Sequence, residues 1–167
     1  DKNFTIRYQS NIPHSVGLAG SSAIITACMR ALMAFYGVSI PKPVQAGLIL
    51  SAEKEELGIS AGLQDRVIQV YEGLVYMDFA KDLLEKQGYG NYQQMDTELL
   101  PNLNVAYQDN FSEPTEVFHN DIRSRFNRGE KQVVEAMKFW AQLTDKFRMA
   151  LEAGDLRKMN DYINANF

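Results

Sequence analysis

The chain has 167 residues, of which 46% are hydrophobic, so it is long enough to bury one sizeable core. Its net charge of −4 argues against binding to nucleic acids or other polyanions, and we expect no such partner. No apolar stretch reaches the roughly 18 residues that a membrane helix requires, so we expect no membrane association either.

The first part of the chain predicts a strand followed by helices that end near glycines. Residues 4–8 alternate apolar and polar side chains, which is typical of a strand with one buried face. The almost wholly apolar run from Ser21 to Tyr36 predicts a buried helix that stops at Gly37. Two prolines open a second helix over roughly residues 44–57, and a third short helix runs to about residue 70.

The second part of the chain is dominated by helical patterns. Residues 74–79 predict a strand, residues 81–98 a helix fragment with a surface loop, and residues 103–107 another strand. Two glycines then separate three predicted helices, which cover residues 115–127, 130–152 and 155–165. We therefore predict an α+β fold with a helix-rich second half.

The cysteine content bears on location. The single cysteine, Cys28, excludes an internal disulfide and fits a reducing compartment. We recognise no signal peptide, and the polar opening together with the helical pattern at the end suggests a piece of a longer chain. These observations favour a cytoplasmic location; the oligomeric state is not determined by the sequence.

The most informative segment is a glycine-containing loop that runs directly into the long apolar helix, PHSVGLAGSSA at residues 13–23. Glycines let the backbone approach a ligand closely, and a helix start offers unpaired N–H donors and the positive end of the helix dipole. The hydroxyls of Ser21 and Ser22 stand where a phosphate oxygen or a metal ion would meet them. The segment suits a polyphosphate, although Gly-Ser-Ser is equally typical of a turn and a helix N-cap.

A second segment places acids on both sides of a glycine-bounded loop. Glu53 lies late in one predicted helix, Gly58 and Gly62 bound the loop, and Asp65 begins the next helix. Taken alone, Glu53 and its acidic neighbours are typical of a solvated helix face, and Asp65 of an acid favoured by the helix dipole. The serine loop about thirty residues earlier favours a functional interpretation of both acids.

Together these two segments resemble the signatures of the GHMP kinases. The glycine-containing loop resembles the second signature of the family, which is usually written PxxxGLGSSAA. Here the loop reads GLAGSSA, one residue longer between the glycine-leucine pair and the serines. This variant resembles the glucuronokinases and some other sugar kinases of the superfamily. The stretch AGLQDRVIQVYEGLVYMDF at residues 61–79 is similar to plant-type glucuronokinases, which phosphorylate the anomeric hydroxyl of D-glucuronic acid.

The resemblance implies a set of site residues and two cofactors, ATP and magnesium. It implies that Ser22 and Glu53 share the magnesium ion and that Asp65 is the catalytic carboxylate beside the substrate hydroxyl. The phosphates of ATP would be bound by the residues of the loop, namely Gly17, Leu18, Ala19, Gly20, Ser21, Ser22 and Ala23. His14 is interpreted as a loop side chain rather than a catalyst.

Arginines are candidates for binding the carboxylate of a uronate substrate, because a guanidinium is its natural bidentate partner. Arg66 adjoins Asp65, and the stretch at residues 119–129 resembles a family pattern in which Arg123 or Arg125 would approach an anion. The alternatives stay open: an ion pair for Arg66 and a charged helix face for the other two.

The resemblance covers residues 11–167 with gaps and implies the two-domain GHMP kinase architecture. We place the end of the N-terminal, ATP-binding domain at residues 1–80 and the start of the C-terminal domain at residues 81–167. The first and third family signatures are not present in this sequence. The expected function is an ATP-dependent sugar kinase, most like a glucuronokinase; the alternatives are another GHMP sugar or isoprenoid-precursor kinase, or a non-catalytic sugar and nucleotide sensor.

Overall fold

A computed structural model of the chain describes residues 3–13, 16–107 and 115–166, and for residues 115–120 it describes the backbone only. Within these residues, helices are combined with a two-stranded sheet, which confirms the predicted α+β class. None of the described helices is long and apolar enough to span a membrane.

The described residues form two compact units. The first extends to Met95 and includes Tyr107, and the second consists of residues 96–106 and 115–166. The domain boundary that we predict near residue 80 stays a prediction, because compactness in space does not by itself define a family domain.

Three helices of the first unit confirm the helices predicted there. They are α1 (Gly20–Tyr36), α2 (Lys42–Ser51) and α3 (Leu63–Tyr71). Gly37 ends α1 as predicted: it adopts a left-handed φ of 66°, and its N–H group donates to the carbonyl oxygen of Ala34. After α2 the chain continues as a π-helical turn over Ala52–Glu56, which the sequence pattern did not indicate.

The sheet pairs the predicted strand at residues 74–79 with one that we did not predict. Strand β1 (Leu74–Asp78) runs antiparallel to β2 (Asn91–Met95), with Leu74 opposite Met95 and Asp78 opposite Asn91. Helix α4 (Lys81–Gln87) connects them and confirms the predicted helix fragment. The sequence of β2, NYQQM, is largely polar, so it lacks the alternating apolar residues by which a half-buried strand is recognised.

Two predicted strands are wrong. Residues 4–8 form no strand; instead, the ring of Phe4 packs edge-on against Phe35 of α1, with ring centroids 5.6 Å apart. The other two apolar residues of the alternation, Ile6 and Tyr8, are exposed, so the pattern does not mark a buried strand face among the described residues. Residues 103–107 also form no strand, and their apolar residues are exposed, Val105 by 74%.

Helix α1 is less buried than we predicted. Ser22 and Thr26 are its buried residues, whereas Phe35 and Tyr36 near its end are exposed. An apolar groove lined by Met29, among others, runs along the helix, so its hydrophobic side is only partly covered by the described residues.

The core of the first unit fixes α2 against α3. Its fully buried residues come from these two helices: Ala46, Ile49, Val67 and Val70. Helix α1 is fastened to the end of α3 by Arg30, whose guanidinium donates to the carbonyl oxygens of Gln69 and Val70 and pairs with Glu72. These contacts hold α1, α2 and α3 in one arrangement.

The second unit contains the three helices predicted for the end of the chain. They are α5 (Thr115–Asn127), α6 (Lys131–Glu152) and α7 (Leu156–Asn166). Glycines at 129 and 154 adopt left-handed φ angles of 72° and 65° between them, which explains why glycine marks these helix ends. The buried residues of this unit lie on α6 and α7, namely Val133, Leu143, Ala150, Leu151 and Met159.

A substitution at Gly90 tests the packing of the sheet. Gly90→Ala should lower the free energy of unfolding by about 1–3 kcal/mol, because the added Cβ would overlap the carbonyl oxygen of Asp78. Gly47→Ala is the matched control: its Cβ meets no atom within 4 Å inside α2, so it should stabilise by up to about 1 kcal/mol. Urea denaturation of the full-length protein measures both changes. Equal effects would contradict the close approach of Gly90 to β1.

Candidate active site

The serine loop ends at a helix start that lacks a side-chain cap. Ala19 is the N-cap residue of α1 and carries no hydroxyl or carboxyl group that could accept from the first turn. The Ala23 N–H group donates back to the Ala19 carbonyl oxygen at 3.1 Å, so the helix ladder begins there. The N–H groups of Gly20, Ser21 and Ser22 precede this first bond, and such groups at a helix start are suited to bind an anion.

Two left-handed residues shape the loop. Gly17 has a φ of 76°, and Ala19 has a φ of 53° and a ψ of 36°. Glycine adopts this conformation freely, whereas for alanine it costs roughly 1–2 kcal/mol. Ala19 belongs to the longer form of the loop, so the extra residue coincides with a strained turn immediately before α1. Backbone strain of this kind is concentrated at functional sites.

The two serines point in different directions. Ser21 is exposed, and its hydroxyl donates to the Oε1 atom of Glu53 at 2.7 Å. Ser22 is fully buried, and its hydroxyl donates to the Ala19 carbonyl oxygen at 2.9 Å. Thr26, one turn further along α1, is buried on the same side and donates to the Ser22 carbonyl oxygen. Because successive helix residues diverge by about 100°, only one of the two serines can face Glu53.

Glu53 is fully buried, whereas its neighbours Glu55 and Glu56 are exposed. It therefore does not belong to a solvated helix face, which was the open alternative for this residue. Glu53 lies in the π-helical turn, and its own carbonyl oxygen accepts from the Ile59 N–H group at 2.8 Å. A π-helical turn shifts the residues of a helix around its axis and is frequent at functional sites.

Arg66 contacts both acids of the second segment. Its Nε atom donates to the Oε2 atom of Glu53, and one terminal nitrogen donates to the Oδ2 atom of Asp65 at 3.2 Å and to the Gly62 carbonyl oxygen at 3.1 Å. The side chain of Arg66 is 6% exposed, while that of Asp65 is 52% exposed. The guanidinium thus forms a buried ion pair with Glu53 and an outer contact with Asp65.

The structure brings together four of the predicted site residues: Ser21, Glu53, Asp65 and Arg66. The link between Glu53 and Arg66 was not predicted, since the two residues are 13 positions apart on different helices. The signal that could have indicated this ion pair is the general requirement that a buried acid has a partner of opposite charge. Ser22, predicted as the partner of Glu53, bonds elsewhere, and its metal role stays a prediction. His14 lies outside the described residues.

Arg125 lies in the second unit and is held there by acids. Its guanidinium pairs with Glu130 through two hydrogen bonds, of 2.9 and 2.5 Å, and approaches Asp121 at 3.6 Å. The hydrogen bonds from Arg125 lower the pKa of the Glu130 carboxyl group below its ordinary value. The predicted contact between Arg125 and a substrate stays a prediction. In this structure the positive charge of Arg125 is paired with Glu130 and Asp121 of the same unit.

The donor atoms beside Ser21 fit a magnesium ion only in part. Magnesium prefers hard oxygen ligands, keeps several waters and is commonly completed by phosphates. Glu53 Oε1 and Ser21 Oγ are such oxygens, and they lie 2.7 Å apart. Within the described residues, however, no group of three or more His, Cys, Asp or Glu side chains is arranged to hold a metal ion. These two oxygens are therefore the candidate protein ligands for a magnesium ion.

Comparisons with known proteins identify the family that the chain resembles. Residues 2–73 match the family described as GHMP kinases N terminal domain. The chain is 47% identical over its whole length to the probable glucuronokinase 2 of Arabidopsis thaliana, and 45% identical over 99% of its length to glucuronokinase 1 of the same plant. It spans 46% of the length of each of these curated relatives.

A more distant relative is a sugar kinase as well. The D-glycero-alpha-D-manno-heptose 7-phosphate kinase of Campylobacter jejuni is 29% identical over 77 residues, which are 46% of this chain and 23% of that kinase. No solved structure gives a significant match to the chain.

The burial of Glu53 predicts how the site contributes to stability. Without nucleotide and metal, Glu53→Gln should lower the free energy of unfolding by about 3 kcal/mol, because it leaves the buried Arg66 charge without its main partner. Asp65→Asn changes a half-exposed carboxylate beside the same arginine and should cost at most about 1 kcal/mol. Urea denaturation of the full-length variants compares the two. A Glu53→Gln variant as stable as Asp65→Asn would show that the pair with Arg66 is not buried.

Proposed function

We propose that the protein is an ATP-dependent kinase of a sugar hydroxyl. The chain belongs to the GHMP kinase family, since residues 2–73 match the N-terminal domain of that family and the chain is 47% and 45% identical to two glucuronokinases. The substrate we propose is D-glucuronate, with phosphoryl transfer to its anomeric hydroxyl. The two Arabidopsis relatives, which match the whole or nearly the whole of the chain and carry the name glucuronokinase, support this substrate.

The observation that carries the proposal is the hydrogen bond from Ser21 to Glu53. It joins the uncapped start of α1 to an acid 32 residues further along the chain. A helix start attracts phosphate oxygens, and a buried carboxylate beside a hydroxyl attracts a divalent cation. Phosphoryl transfer depends on positioning and on neutralising charge, and it requires little covalent work from the protein. This juxtaposition supplies both requirements at one place.

In the proposed site, the loop from Gly17 to Ala23 binds the phosphates of ATP, with the N–H groups of Gly20, Ser21 and Ser22 as the donors that precede the first helical hydrogen bond. Glu53 and a serine hydroxyl hold the magnesium ion; the geometry favours Ser21, while the family resemblance favours Ser22. When bound, magnesium would neutralise charge on the phosphates. The loop would orient the phosphates, and the packed helices behind it would keep the loop in position.

Asp65 is proposed to orient or deprotonate the attacking hydroxyl. Its side chain is half-exposed at the start of α3, so it is accessible to a substrate. The guanidinium of Arg66 contacts both Asp65 and Glu53. It therefore keeps the carboxylate proposed to act on the substrate hydroxyl close to the carboxylate proposed to bind the metal ion. A positioned carboxylate of this kind contributes by holding the reacting oxygen in line and accepting its proton.

A second candidate is a kinase of a different sugar. The similarity to the heptose 7-phosphate kinase favours it, because that protein shares part of the same region of the chain. For Arg66, the buried pair with Glu53 disfavours a direct contact with a substrate carboxylate.

We also propose a cytoplasmic location, which agrees with a single, unpaired cysteine, Cys28.

The full-length protein should convert D-glucuronate and ATP to glucuronate 1-phosphate and ADP. We expect phosphorus NMR to show a sugar 1-phosphate with glucuronate and a rate at least about tenfold lower with D-glucose, which differs from it only in lacking the carboxylate. A heptose 7-phosphate serves as the test of the second candidate. The proposed substrate would be contradicted if the protein phosphorylated the neutral sugar or the heptose 7-phosphate but not glucuronate.

A matched pair of serine variants separates the two proposed metal ligands. Ser21→Ala should lower kcat by about 10²-fold or more, because it removes the hydroxyl beside Glu53. Ser22→Ala removes a hydroxyl that bonds only to its own helix start in the described contacts, so its effect should be within about fivefold. Steady-state kinetics at saturating magnesium measure both. The reverse order of effects would assign the metal to Ser22.

A further inference from the structure

Arg66 holds an unusual place for a cation in a site proposed to bind a metal ion. Its guanidinium is buried and contacts the two carboxylates of the site, one oxygen of Glu53 and one of Asp65. These are the acids proposed to hold the metal ion and to orient the acceptor hydroxyl, so Arg66 links the two proposed functions of the site. Glu53 therefore has one oxygen engaged by Arg66, and the other, Oε1, is directed to Ser21.

The charges of this cluster argue against metal binding in the absence of nucleotide. Glu53, Asp65 and Arg66 together carry one net negative charge, and the buried carboxylate is already neutralised by its direct partner. A divalent cation beside Glu53 would also be repelled by the guanidinium, and in a partly buried site this repulsion is only weakly screened. The phosphates of ATP bring several negative charges, which reverse this balance.

We propose that Arg66 is a positioning residue that acts as the resident cation of the site: it neutralises Glu53 in the metal-free protein and directs Oε1 toward Ser21, so that a divalent cation binds only together with a polyphosphate. This inference rests on the proposed function for the identity of the site. It adds that the metal ion and the nucleotide bind together. It also makes Glu53, rather than the sugar substrate, the partner of Arg66.

A manganese titration tests the proposal without measuring activity. Mn²⁺ replaces magnesium and is detected by electron paramagnetic resonance, with full-length protein at pH 8 and no nucleotide. Any Mn²⁺ binding by the wild type should be the same in Glu53→Gln, because Glu53 is not expected to bind the ion without nucleotide. Arg66→Gln should gain a Mn²⁺ site at least about tenfold tighter than any in the wild type, because a repelling charge is removed. The double variant Arg66→Gln, Glu53→Gln should lose that site.

Arg66→Lys is the matched control, because it keeps the charge and should gain no site. A gain in Arg66→Lys equal to that in Arg66→Gln would overturn the proposal, as would the absence of any gain in Arg66→Gln. If Arg66→Gln does not fold, the wild type and Glu53→Gln decide. Glu53-dependent Mn²⁺ binding without nucleotide overturns the proposal, and its absence, together with binding of the Mn²⁺–ATP complex to the wild type but not to Glu53→Gln, supports it. A failure here with intact glucuronate turnover would leave the proposed function standing.

Discussion

The buried carboxylate of Glu53 is the interaction on which the rest of the site depends. It accepts a hydrogen bond from Ser21 on one oxygen and from Arg66 on the other, and so joins the start of α1, the π-helical turn after α2 and the first turn of α3. A buried charge is stable only when it is paired and hydrogen-bonded. Each of the three segments must therefore hold its position for the carboxylate to keep both of its hydrogen-bond partners.

The surrounding structure meets this requirement through packing. The apolar core between α2 and α3 fixes the helices that carry Glu53 and Arg66, and Arg30 fastens α1 to the end of α3. The π-helical turn gives Glu53 its inward direction while Glu55 and Glu56 stay exposed. The fold thus places a helix start, which attracts phosphate, beside an acid and its counter-ion, and this arrangement is what a phosphoryl-transfer site needs.

Local sequence signals predicted the helices well and the sheet poorly. Glycines such as Gly37 end helices through their own left-handed conformation, which is visible in the sequence. The polar strand β2 depends on its partner β1, and of the alternating residues at 4–8 it is Phe4 that packs on Phe35 of α1, so neither arrangement could be inferred locally. For the site, the family motifs indicated Glu53 and Asp65. The choice between Ser21 and Ser22 depends on the left-handed Ala19, and the burial of Arg66 depends on the packing of α3.

A crystal structure of the full-length protein with Mn²⁺ and a non-hydrolysable ATP analogue tests the central claim most directly. The account predicts an anomalous difference peak at about 2.0–2.3 Å from Glu53 Oε1, with Ser21 Oγ among the ligands, the phosphates at the start of α1, and Arg66 still bound to the other Glu53 oxygen. A manganese ion placed away from Glu53, or phosphates bound away from the Gly17–Ala23 loop, would contradict it.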